Sequence, residues 1–189
     1  MPHRKNKTYH DSNALTNWQR FLALEEKFEQ AEEYVFKGAD YNGKQLDLIN
    51  QPVYSNQFKS IIIQASEEFI LQASELVGFS GQHITIDELA EKILLLYPYI
   101  YDTVVDTNYM DVTPLIGWKN IPGRRKTLDW WGHYYKLKHG NVRDFSYATL
   151  QCTLNAMGAL FVLNLYALKE EYGNIALAAQ SANFRVGLK

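Results

Sequence analysis

The segment 129–145, DWWGHYYKLKHGNVRDF, holds two Trp, two Tyr, two His, two Lys and an Arg in seventeen positions. No other part of the chain is so dense in groups that stack, bind anions or move protons. Imidazole suits acid–base work near neutral pH, which makes His139 the candidate general acid or base. At the end of a helix its charged form is favoured by the macrodipole and disfavoured by the neighbouring Lys136 and Lys138. Arg143 follows four residues later, across a turn, and it or a lysine is the candidate for stabilising phosphate charge. Arg124, Arg125, Lys126, Lys136 and Lys138 complete a local cationic patch around Trp131 and Tyr135. Cations interleaved with aromatic rings suit a phosphate backbone with stacked bases, as in single-stranded RNA. The candidate ligand-binding residues are therefore Trp131, Tyr135, Lys136, Lys138, Arg124 and Arg125. The same residues also read structurally: basic groups in a last turn stabilise a helix through its dipole, and aromatics fill a core.

On a helix, Leu128, Trp131, Tyr135 and His139 share one face, and Trp130, Tyr134 and Leu137 form a second row. Both rows can bury into a bundle, leaving His139 as the polar end of the first. Thr127 is the expected N-cap, and Gly140 fits the position just past the helix.

The elements that must position this segment are helical. Trp18, Phe21, Leu22, Phe28, Ala31 and Val35 recur at steps of three and four over 14–36, with most of the glutamates opposite. Gly38 can close that helix. Phe58, Ile62, Ala65, Phe69, Ala73 and Leu76 mark a second helix over 55–77. Within it, Glu67 and Glu68 read first as a solvated face, with a cationic partner in the bundle for one of them as the alternative. TIDELAEKILLLYP begins with a capping box, Thr85 and Glu88, and predicts a helix over 86–97 that stops before Pro98. YIYDTVVDTNYM is rich in β-branched and aromatic residues but shows no strand partner, so it reads as irregular or short helix. Residues 111–126 read as a loop. A long helix over 146–171 carries Leu150, Leu154, Met157, Phe161, Leu165 and Leu168, with apolar neighbours on most sides, and Gly173 ends it. A further short helix is expected after it. The fold class is all-α, a bundle of about five helices, with a disordered tail over 1–12 and one domain over 13–189.

Composition narrows the function classes. With 189 residues and a net charge of -2, the chain has no global basic field, so any nucleic-acid contact must be local. Cys152 is the only cysteine; it forms no internal disulfide, and its apolar surroundings suggest a small buried thiol in a reducing cytoplasm. The first residues lack the apolar core of a secretory signal. LNAMGALFVLNLYAL is interrupted by Asn155 and Asn164 and is shorter than the ~20 apolar residues of a membrane span. A cytoplasmic protein with no membrane partner is expected. GFSGQH lacks the spacing and lysine of a phosphate loop, and no CxxC, HExxH or G-x-S-x-G occurs. His133 and His139 lie on different faces of their helix. No metal and no cofactor is expected.

The run from Trp131 through Tyr134, Lys138 and His139, followed by Leu154, Asn155, Ala156, Leu160 and Phe161, resembles a group of bacterial HEPN-like helical proteins. Their signature reads W-x-x-Y-N-x-h-K-H before a long helix with L-N-A-h-x-x-L-F. The resemblance covers mainly residues 114–166. It implies a homodimer whose paired motifs line a cleft, and metal-independent RNA cleavage in a defence or toxin–antitoxin setting. His139 takes the place of the family histidine. The family arginine is replaced: Tyr134 stands five positions before His139. Two expectations follow. One is an RNA- or phosphate-binding protein, with or without ribonuclease activity through His139 and Arg143. The other is a non-catalytic module for dimerisation or for a protein partner encoded nearby.

Overall fold

The computed structural model describes residues 13–32, 54–81, 83–119 and 127–186. The expected tail over 1–12, the cap at Gly38 and the basic residues Arg124, Arg125 and Lys126 lie outside these residues. Among those described, 71% are helical, in an all-α bundle of five helices. They are α1 (Asn13–Glu32), α2 (Asn56–Leu76), α3 (Ile86–Leu96), α4 (Asp129–His139) and α5 (Leu150–Tyr172).

Helices α2 and α5 lie along one another at the centre, with α1 against both. The apolar steps of α1 place Trp18, Phe21, Phe28 and Ala31 in the core. Ser55 starts α2 by accepting the Phe58 N–H at 3.0 Å, which satisfies one otherwise orphaned donor. The capping box of α3 is present: Thr85 Oγ1 accepts from Glu88 N, and the Glu88 carboxylate accepts the Thr85 N–H at 2.8 Å. Helix α5 is buried from Ala156 through Leu165. It is long and apolar enough to cross a membrane by length and composition, and 78% of that window is buried within the protein, as in a central core helix.

Four local expectations need correction. The long helix begins at Leu150 rather than 146: residues Val142–Tyr147 form a 3-10 helix, and Thr149 caps α5 by accepting the Cys152 N–H at 3.2 Å. Helix α4 is preceded by Leu128, which offers no side-chain cap, so Thr127 does not serve as its N-cap. Leu128 is instead buried. Gly140 does stand just past α4, but it is not left-handed (φ -83°). Close approach is what requires a glycine there, since a Cβ would collide with the Lys136 carbonyl and the Asp144 carboxylate. Gly173, by contrast, ends α5 at φ 72°, where a side chain would be strained.

The fourth correction concerns strands. Val105–Thr107 (β1), Asp111–Val112 (β2) and Phe184–Val186 (β3) form an antiparallel sheet in the order β2-β1-β3. Val105 pairs with Val112 on one side and with Val186 on the other. YIYDTVVDTNYM therefore does contain a strand, and its second partner comes from the far end of the described chain. The expected final short helix is the 3-10 turn Ala176–Gln180, which leads into β3.

Helix α1 holds β3 in place. The buried Glu25 carboxylate accepts the Ser181 hydroxyl at 2.7 Å and the Asn183 N–H at 2.8 Å. Phe184 then inserts among Phe21, Phe28 and Phe161, with ring centroids 5.7, 6.2 and 6.0 Å away. Much of the aromatic content is thus core filling.

Candidate functional site

Helix α4 sits across α2 and α5 and buries one narrow face. Trp130, Tyr134 and Leu137 are its buried residues, as steps of three and four dictate. Trp130 meets Phe69 of α2 edge-on at 5.3 Å and donates its indole N–H to the Pro114 carbonyl at 2.8 Å. The second aromatic row is core as expected. The first is not: Trp131 is half-buried and Tyr135 is 61% exposed. A helix rotates about 100° per residue, so a face centred on Trp130, Tyr134 and Leu137 turns Tyr135 and His139 outward.

The sequence-adjacent candidates consequently separate. On the flank toward α2, Lys138 pairs with Glu67 at 2.8 Å and donates to the Tyr134 hydroxyl at 3.0 Å. The Glu67 bond, and then the Tyr134 bond, hold Lys138 charged well above the ordinary lysine range. Trp131 packs against Tyr134 at 4.7 Å on this side. Glu67 thus meets a cation while staying half exposed to solvent, and Glu68 lies 3.6 Å from Arg20. Lys138 acts first as the seam between two helices.

The outward face carries Tyr135 and His139, their rings 4.9 Å apart. Among the described residues no side chain hydrogen-bonds the His139 imidazole. Arg143 is exposed in the 3-10 turn after α4. Its backbone is set by Asn141, whose side-chain oxygen accepts the Arg143 N–H at 3.0 Å, while Asp144 accepts the Asn141 N–H at 2.9 Å. The guanidinium makes no ion pair among the described residues.

The opposite flank holds a cluster that sequence spacing did not single out. Lys136 lies over the Tyr147 ring, 4.2 Å from its centroid, and donates to the Tyr147 hydroxyl at 3.1 Å. His133 stacks on the same ring at 4.7 Å and 26°. Burial, reinforced by the Lys136 charge and opposed by Asp129, pulls His133 below the ordinary value of 6.5, so it is a neutral ring at pH 7. The clue was available in the i, i+3 spacing of His133 and Lys136, but their partner Tyr147 lies beyond a turn whose geometry is not written in the pattern. A pocket of about 400 Å³ opens beside His133 at the start of α4.

Chemically, this surface offers stacking rings and two cations, Lys136 and Arg143, that form no ion pair among the described residues. General bases are normally oriented by a hydrogen-bonded partner, and His139 is oriented by a ring. Among the described residues no group of three or more His, Cys, Asp or Glu converges as metal ligands. No protein-family model, curated protein or solved structure matches the chain.

Proposed function

We propose that the protein binds single-stranded RNA along the solvent side of α4 and the turn that follows it. Tyr135 and His139 stack with bases, and Lys136 and Arg143 take the phosphates. The observation that carries this reading is Tyr135, 61% exposed and 4.9 Å from the His139 ring, on the same helix as a lysine held over Tyr147. A large exposed aromatic gains little from folding and much from a flat ligand, because base–aromatic stacking contributes ~1–3 kcal/mol per base. Lys136 directs one N–H at the Tyr147 hydroxyl and keeps the others for phosphate. With a net charge of -2, attraction is local, and affinity should fall with salt by about 0.7 in the log slope for each phosphate engaged.

The HEPN resemblance supports the same ligand class. At the position of its arginine stands Tyr134, whose hydroxyl accepts from Lys138 and whose ring is buried. The family's catalytic pair is therefore incomplete, and binding is the leading role. Cleavage through His139, with Arg143 on the phosphate, is a separate outcome of one experiment. Fluorescein-labelled RNA is titrated with protein in EDTA, followed by anisotropy, and then run on a denaturing gel. Saturable binding that weakens with salt is expected. An absence of binding at low salt overturns the proposal, and cleavage that His139→Ala abolishes adds catalysis to it.

A second reading rests on the end of α3 and the turn after it. Leu95, Leu96 and Tyr99 are 83%, 52% and 75% exposed, an apolar concentration that suits a protein interface. It favours the non-catalytic interaction module, with a second copy of the chain as the symmetric partner. Sedimentation across a concentration series tests that arm.

A further inference from the structure

The pocket at the start of α4 is about 400 Å³, within the range of small-ligand sites. Pro114, Leu128 and Trp130 give it apolar walls, while Asp129, His133, Gln151 and Asn155 bring polar groups to the same space. This mixture suits a flat ring, apolar on its faces and polar along its edge.

Charge and hydrogen-bond capacity narrow the ligand further. The lysine on the lining, Lys119, is engaged with Asp102 at 3.5 Å and lies over Tyr101 at 5.7 Å. Asp129 contributes a carboxylate, and His133 is neutral at pH 7. Among the described residues, a free anion would meet Asp129 without an uncommitted cation to offset it, which favours a neutral ligand. Asn155 donates its amide N–H to the Gln151 carbonyl at 2.9 Å, which leaves its oxygen as an acceptor. With the Asp129 carboxylate, that oxygen gives the lining two acceptors, which suit a ring edge with adjacent N–H donors. Among nucleobases, guanine presents such an edge in N1–H and the N2 amino group.

The pocket also adjoins the proposed RNA strip, because His133 lines the one and stacks on Tyr147 of the other. Bases of single-stranded RNA are read when they are splayed out of the stack and hydrogen-bonded along their edges.

We propose that this pocket receives one unstacked guanine of the bound RNA, with Asp129 accepting from its Watson–Crick edge and Gln151 and Asn155 completing the polar contacts. This rests on the RNA reading above, yet it is separable from it, since a free nucleoside carries the base without the phosphate chain. Guanosine, uridine and inorganic phosphate are each titrated into the full chain by calorimetry, with saturation-transfer NMR to identify the bound protons. Guanosine should bind at least about tenfold tighter than uridine, as expected for one good edge pairing, and phosphate should not compete. Asp129→Asn should weaken guanosine about tenfold. Gln151→Ala, at an exposed first-turn position, gives a second test if Asp129→Asn disturbs the helix start, and a thermal melt checks folding for each.

Equal binding of uridine, competition by phosphate, or no guanosine binding overturns the proposal. RNA binding without guanosine binding rejects the pocket and leaves the strip. Guanosine binding without RNA binding leaves a nucleoside pocket and rejects the RNA part of the assignment.

Discussion

At the scale of single residues, neighbours in the sequence do different jobs. Tyr134 is buried and serves Lys138, while Tyr135 faces water beside His139. Tyr135→Ala should therefore weaken RNA about tenfold, as removal of one stacking platform does, and leave the melting temperature nearly unchanged. Anisotropy and a thermal melt on one preparation check both. His133 behaves differently. Its imidazole is held below 6.5 by burial first and by Lys136 second, so the folded state resists a proton that the unfolded chain accepts. Its stability contribution is fully present above the unfolded value and is lost as pH falls through the lower folded value. Relative to His133→Gln, the wild-type protein should lose stability between pH 8 and 5 in urea denaturation. A wild-type gain over that window would contradict the assignment. The chemistry of the cluster was legible in residue types. Its division among faces was not, because it depends on which row α2 and α5 bury.

At the scale of elements, signals local in the chain were readable. The Thr85–Glu88 box and Gly173 each work within a few residues and are found where the pattern puts them. The sheet was not readable, because β1 acquires β3 from the far end of the described chain, and a window around Val105 carries no trace of Phe184. The start of α5 was also misplaced, since the apolar period continues through a 3-10 turn. Glu25 shows the same limit: it belongs to a glutamate-rich face by pattern, yet it is 3% exposed because Ser181 and Asn183 arrive from afar. Glu25→Ala leaves a buried hydroxyl and a buried N–H without their acceptor, and should cost about 2–3 kcal/mol in urea denaturation. A loss below roughly 0.5 kcal/mol, the size of an ordinary surface substitution, would show that the carboxylate does not hold β3.

At the scale of the molecule, α2 and α5 form a rigid centre on which α4 is fixed by Trp130 and by the Lys138–Glu67 pair. In the proposed RNA reading, a recognition surface on an anchored helix would lose little conformational entropy on binding. The all-α class was legible from five periodic segments, whereas the proposed RNA strip needed Tyr147 placed beneath Lys136. The most direct test of that strip is photo-cross-linking of single-stranded RNA containing 4-thiouridine, with the attachment sites mapped by mass spectrometry. The account predicts cross-links at Tyr135 and His139 that disappear in high salt. Cross-links confined to α1 or α3, or none from saturating RNA, would contradict it.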